Sequence, residues 1–290
     1  MNDQRIAVLT DSGTDVPRSF CEEHDVRVVP LHINFSDGTS YQSGVDIAPS
    51  ELLKRMEQEI PKTSLPSPNE IKHAFEKARE DGYEKAVFVS ISSGLSATNQ
   101  TAHMIADQMD DFPVIVGDSL SVGVAGGMVV METVALIEQG VPFEELAGRI
   151  EGLARNTRVF FTVKDLHWLR EGGRISDPIY RLGKNLNIKP VLMCSPEDGS
   201  YVLAKKTRGW ERSLDMLVKL VCDHAKQYRR VRLAICCCEA DQLAGELEAK
   251  LRTAVGPLAQ VVSIAQEDAS ADLLVHTGPD IVGPGVMGLE

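Results

Sequence analysis

The first half of the chain alternates short runs that are apolar throughout with longer amphipathic stretches, and this alternation limits the available folds more than any other feature. Residues 6–9, 85–91 and 113–117 read as strands, and 27–35 looks extended. Residues 17–23, 50–58, 69–81, 96–109 and 121–139 read as helices. In 69–81, Ile71, Ala74, Phe75 and Ala78 recur at helical spacing and form one face. Pro49 suits the first turn of 50–58, where no N–H donor is needed. Strands without a polar face must be covered on both sides, as in a parallel sheet flanked by helices. The expected class is α/β, with an N-terminal Rossmann-like parallel sheet carrying helices on both faces. No Gly-x-Gly-x-x-Gly follows a strand, so dinucleotide binding is not supported.

The second half has a different rhythm. Residues 158–163 read as a strand and 164–170 as a short helix. Strands at 188–194 and 201–206 flank Ser195-Pro196-Glu197-Asp198-Gly199-Ser200, a hairpin turn. A helix (210–226), a strand (231–237), a helix (240–253) and a strand (260–264) follow. A hairpin beside helices points to a mixed or antiparallel α+β domain. The helix at 143–153 ends near Asn156, which places the boundary between domains 1–156 and 157–290.

With 30 Lys plus Arg against 42 Asp plus Glu, the net charge is −12 and no basic stripe offsets it. Nucleic acid and anionic membranes are therefore disfavoured partners. The start shows no basic segment leading into a long apolar one, and the apolar run 122–137 contains Glu132. The expectation is a cytoplasmic protein with no integral membrane segment. Of six cysteines, Cys236, Cys237 and Cys238 are consecutive, which suits neither a disulfide framework nor a zinc site. They read as small apolar residues of a buried strand.

Several segments carry chemistry. Ser90-Ile91-Ser92-Ser93-Gly94-Leu95-Ser96-Ala97-Thr98 reads as a strand end, a glycine turn and a helix start. A helix N-terminus offers unpaired N–H groups to an anion, and the Ser92, Ser93 and Ser96 hydroxyls add donors; simple capping is the plainer alternative. Thr63 and Ser64 supply hydroxyls from a loop that Pro66 and Pro68 keep irregular. His276 precedes Thr277-Gly278-Pro279 and reads as a loop residue, of the core or of a site. Asp11 and Asp15 are a carboxylate pair of the kind that holds Mg²⁺, unless Thr14 or Asp15 caps the next helix. Asp118-Ser119 repeats the strand-Asp-Ser pattern of Asp11-Ser12, and both ends are expected at one crevice. Arg174, in Gly172-Gly173-Arg174-Ile175, and Arg208, after Lys205-Lys206-Thr207, suit a carboxylate, a phosphate or an acidic partner.

Taken together, Thr10-Asp11-Ser12 with Asp15, Thr63-Ser64 with Pro66-Ser67-Pro68, Ser92-Ser93-Gly94-Leu95-Ser96 with Thr98, Asp118-Ser119, Gly172-Gly173-Arg174-Ile175, Ile188-Lys189-Pro190 and His276-Thr277-Gly278-Pro279 resemble the DegV family over nearly the full chain. The resemblance implies a two-domain α/β protein, of the fold named EDD, enclosing one long-chain fatty acid, with neither a metal nor another cofactor. It implies a carboxylate held by Thr63, Ser93 and His276, with Ser92 the nearest rival to Ser93 and with Ser64 and Ser96 beside them. The stretch from His276 onward would return to this head-group site. The implied role is that of a carrier protein rather than an enzyme, with a fatty acid kinase subunit as partner and Arg174 and Arg208 at that contact. Leu65 stands where the family usually has Gln, and the closing segment carries Asp280 and an extra proline, Pro284. The alternatives are a serine-dependent acyl ester hydrolase using Ser93 and His276, though without the Gly-x-Ser-x-Gly frame, and a Mg²⁺ phosphatase using Asp11 and Asp15.

Overall fold

A computed structural model describes residues 2–183 and 188–289. The first half runs β1 (Ile6–Asp11), α1 (Arg18–His24), β2 (Val26–Val29), β3 (His32–Asn34), β4 (Ser40–Gln42), α2 (Pro49–Met56), β5 (Lys62–Ser64), α3 (Pro68–Glu80), β6 (Lys85–Ser90), α4 (Thr98–Ala106), β7 (Val114–Asp118), α5 (Gly123–Glu138) and α6 (Phe143–Arg155). The second runs β8 (Thr157–Phe161), α7 (His167–Glu171), α8 (Asp177–Gly183), β9 (Ile188–Cys194), β10 (Tyr201–Arg208), α9 (Trp210–Ala225), β11 (Arg230–Cys237), α10 (Asp241–Val255), β12 (Gln260–Asp268), α11 (Ala271–Thr277) and β13 (Val282–Leu289).

The four-stranded sheet, in the order β2-β1-β6-β7, is parallel throughout. Side chains alternate across a strand, and here both faces are apolar. Ala7, Leu9, Ala86 and Phe88 pack with Ile71, Phe75 and Ala78 of α3 and with Ala102 and Ile105 of α4. Ile6, Val8, Val87 and Val89 face the opposite way, towards α5. Ser67 starts α3 through a capping box with Glu70.

The six-stranded sheet has the order β10-β9-β8-β13-β11-β12 and is antiparallel except between β11 and β12. Its central strands β13 and β11 too are buried on both faces. Leu233, Ile235 and Cys237 of β11 join Leu217 and Val221 of α9 and Leu247 and Leu251 of α10. Ala234 and Cys236, the alternate residues, join the core around α5. The three adjacent cysteines are all buried, with free thiols.

Helix α5 is therefore shared. It lies against β1 and β6 on one side and β8, β11 and β13 on the other. A helix apolar all round belongs in a core, and its Val124, Met128, Val129, Val130 and Val134 are all buried. Its one acid in the apolar run, Glu132, meets Arg232 of β11 at 2.8 Å.

Four elements depart from the sequence reading. Thr63 and Ser64 lie in a short strand, β5, which pairs with β3 beside β4. Three residues are too few to show alternation. His276 lies in the last turn of α11 rather than in a loop, because only seven residues precede the break at Gly278. Helix α4 begins at Thr98 rather than Ser96. Strand β13, where the sequence reading assigned no element, is a central strand despite Pro284. Its glycines admit close neighbours: a Cβ at Gly288 would lie 2.4 Å from the Tyr228 ring.

A Cβ on Gly127 of α5 would sit 2.6 Å from the Thr14 carbonyl oxygen, whereas Gly148 of α6 faces open space. Gly127→Ala is expected to destabilise the protein by about 1–3 kcal/mol through overpacking. Gly148→Ala should stabilise it by about 0.5–1 kcal/mol through helix propensity. Urea unfolding of the two variants checks the opposite signs.

Candidate functional site

Helix α11 touches the three-stranded sheet through β3 and β5 and also packs on α2 and α7. This docking brings together residues more than two hundred positions apart. Thr63 Oγ1 and His276 Nε2 are 2.8 Å apart in a hydrogen bond. Thr63 is held in register by its partner Ile33. The other ring nitrogen, Nδ1, is buried without a hydrogen-bond partner. It lies against Gly172, where a Cβ would come within 2.2 Å of it. The first glycine of the Gly-Gly-Arg turn thus lets backbone reach the imidazole.

Burial, reinforced by the positive charge of Arg174, pushes the His276 pKa down to about 3. The imidazole is neutral at pH 7, with one nitrogen donating and the other accepting. Arg174 is half-buried rather than exposed, and its Nη1 donates to the Gly172 carbonyl.

The serine loop stands on other supports. Ser92 is buried, and its Oγ accepts from Gly94 N at 3.1 Å. Gly199, in the β9–β10 turn, lies directly against that hydroxyl. Ser93 is exposed; its N–H donates to both Asp118 carboxylate oxygens, at 3.2 and 3.3 Å. Its hydroxyl makes no hydrogen bond among the described residues. Ser96 Oγ accepts from Thr98 N and pairs with Thr98 Oγ1, and Ser64 Oγ accepts from Asn34 Nδ2 at 3.1 Å. Thr63, His276, Gly172 and Arg174 are thus in one cluster, and no hydrogen bond joins Ser93 to it. Arg208 lies on the outer edge strand β10, in a groove with Lys206, Arg212 and Lys219.

The two strand-end acids, Asp11 and Asp118, are committed to the fold, whereas both carboxylate oxygens of Asp15 are buried without a hydrogen-bond partner. Asp11 accepts from Gly13 N and Ile91 N, and burial raises its pKa to about 8. Asp118 accepts from Ser93 N and Leu120 N. Among the described residues, no three His, Cys, Asp or Glu side chains are arranged to hold a metal ion. No helix there is long and apolar enough to cross a membrane.

Beside this cluster lies what sequence reasoning missed, a narrow apolar slot between α5 and the six-stranded sheet, nearly closed, with a free volume of about 10 Å³. Val124, Val159, Phe161, Tyr201, Cys236 and Leu273 line it. Leu273 is one turn along α11 from His276. Period-two spacing of Val159 and Phe161 was the available signal, but it could not say which face meets the other domain.

The geometry defines a class of protein: two layered α/β halves around an apolar slot, with a neutral polar pair beside it. The chain belongs to the DegV family, described as "Uncharacterised protein, DegV family", whose sequence model matches residues 5–288. A DegV domain-containing protein of Clostridium acetobutylicum is 29% identical over 284 residues, covering 97% of this chain and 98% of its own. The structure of a DegV family protein from Thermus thermophilus, described for its fatty acid binding, superposes with a TM-score of 0.88 at 30% identity, covering 98% of this chain and all of that one. A stearic acid-binding protein from Eubacterium ventriosum gives 0.84 at 25% identity, with 99% and 98% covered.

The depressed His276 pKa carries a stability signature. The unfolded imidazole takes up a proton near pH 6.5 and the folded one only near pH 3. Its contribution is intact above pH 6.5 and is lost as pH falls towards 3. Replacing His276 with Gln should flatten the decline in stability across that window, as measured by denaturant unfolding at a series of pH values.

Proposed function

We propose that this protein binds one long-chain fatty acid in the slot between residues 1–156 and 157–290, with the carboxylate held by Thr63, Ser93 and His276. The observation that carries this reading is the half-buried, neutral Thr63–His276 pair, one helical turn from the apolar lining. A tail of about 14 methylenes gains roughly 11 kcal/mol gross on burial, part of which association entropy removes. The head group is the difficulty, since a buried carboxylate without donors is very costly. Thr63 and Ser93 supply hydroxyl donors. The neutral His276 orients Thr63 without forming an ion pair that would blunt the carboxylate's nucleophilicity. The Thermus and Eubacterium relatives, described as fatty acid binders, support the same ligand class.

In this reading the protein is a carrier rather than an enzyme, and it presents the carboxylate to a fatty acid kinase. Arg174 joins the Gly-Gly-Arg turn to the imidazole, and Arg208 adds a cation on the outer groove; both suit an acidic partner surface. Hydrolysis by Ser93 fits less well, because His276 Nε2 is engaged by Thr63.

Ser93→Ala and Thr63→Ala are each expected to weaken fatty acid binding by about 1–3 kcal/mol, through loss of a donor to a charged acceptor. Titration calorimetry with stearate checks this, and undiminished affinity in the double variant contradicts the head-group assignment. Arg208→Ala should leave that affinity unchanged while slowing acyl phosphate formation by a kinase. A lost stearate affinity in Arg208→Ala would contradict its docking role.

A further inference from the structure

Adjacent residues of a strand face opposite ways, and β5 uses both of its faces. Thr63 shares the inner face with the buried Ile33 and bonds His276. Ser64 faces outward, where its hydroxyl accepts from Asn34 Nδ2. Gln42 of β4, His32 of β3 and Ser64 form one row across the outer face of the small sheet. On that face a single carboxylate gathers donors from three segments. Glu70, in the first turn of α3, accepts from Ser67 N and Oγ at 2.7 Å. It also accepts from His32 Nε2, 3.0 Å from both of its oxygens, and from Gln42 Nε2 at 3.2 Å. Burial would raise the Glu70 pKa, but Ser67 and His32 hold it down at about 2, so the group stays an acceptor. A capping box requires Ser67 alone; the two further donors belong to the strands.

We infer that Glu70 is a positioning residue for the head-group site: by joining His32, Gln42 and Ser67 it fixes the register of β5, and with it the Thr63 hydroxyl on His276. The inference rests on the fatty acid reading above. Strands β3, β4 and β5 have three residues each, so their ladder alone sets register weakly. A slip of one residue would turn Thr63 outward and Ser64 inward, because side chains alternate with a period of two. Glu70 opposes that slip from outside. It ties the segment leaving β5, through Ser67, to the two strands that β5 must match. Glu70 touches neither Thr63 nor His276, and its effect on a ligand passes through them.

The test uses Glu70→Ala and His32→Phe, each made alone and in the Thr63→Ala background. His32→Phe keeps a ring in the row and leaves the Ser67–Glu70 cap in place. Two quantities are measured: stearate affinity by calorimetry, and the imidazole nitrogen resonances of His276 by NMR in the ligand-free protein. Each single variant is expected to bind stearate about tenfold more weakly, the size of one lost hydrogen bond to a charged acceptor. Each should also shift the His276 resonances, as Nε2 loses its Thr63 partner. In the Thr63→Ala background neither substitution should weaken stearate binding further, because residues acting through one contact are not additive. A loss of the same size in both backgrounds indicates general loosening and overturns the inference. So does wild-type affinity in His32→Phe, which would leave Glu70 an ordinary helix cap, and so do unmoved His276 resonances. Stearate that fails to bind the wild-type protein overturns the fatty acid reading instead; the His276 resonances, which need no ligand, still decide whether Glu70 positions Thr63.

Discussion

The burial of α5 between two sheets is the constraint on which the rest of the structure depends. A helix with no polar face cannot end a layer; it needs an apolar surface on each side. Here one side is given by Ile6, Val8, Val87 and Val89 of the parallel sheet, and the other by the inner face of the mixed sheet. The two halves of the chain are consequently joined by one continuous core, and residues of that core line the slot. The Glu132–Arg232 pair fixes the register of α5 on β11. Its two partners are partly shielded from solvent, so each would be costly to leave alone.

The same packing sets the chemistry of the site. His276 is neutral because α11 is held against β3, β5, α2 and α7, which removes water from the ring. The Gly172 backbone occupies the space beside Nδ1, and Arg174 adds a positive charge nearby. Two independent effects, desolvation and charge repulsion, therefore act in the same direction on one imidazole. A neutral histidine bonded to a threonine provides a directional hydrogen-bond network instead of a counter-ion.

The parallel sheet was legible because its strands are long enough to show uninterrupted apolar runs, and α3 because Ile71, Phe75 and Ala78 mark one face. The hairpin of β9 and β10 was legible from its turn chemistry. The elements that carry the site were not. Strand β5 is three residues long, and Thr63 looks like part of a proline loop until β3 is beside it. Helix α11 makes two turns and carries a single titratable group near its end. Strand β13 breaks the usual composition of a central strand, since Gly283 leaves room for Phe161 of β8 and Gly285 for Ala125 and Met128 of α5. Motif order pointed to Thr63, Ser93 and His276, and the structure joins the first and last by a hydrogen bond, while Ser93 stands on the loop tied to Asp118.

The place of β13 in its sheet bears on how the molecule is made. The strand lies between β8 and β11, yet it follows every other strand in sequence. The parallel sheet has all its strands once β7 has been synthesised, so it can assemble early from contacts near in sequence. The mixed sheet cannot: until β13 arrives, β8 and β11 have no common neighbour and each presents a bare edge. Long-range closure of this kind is slow and leaves unpaired strands open to wrong partners. During biosynthesis the second half would wait as two unjoined pieces beside a nearly finished first half. The interval before β13 inserts is then the stage at which a nascent chain is most exposed to aggregation and to capture by chaperones.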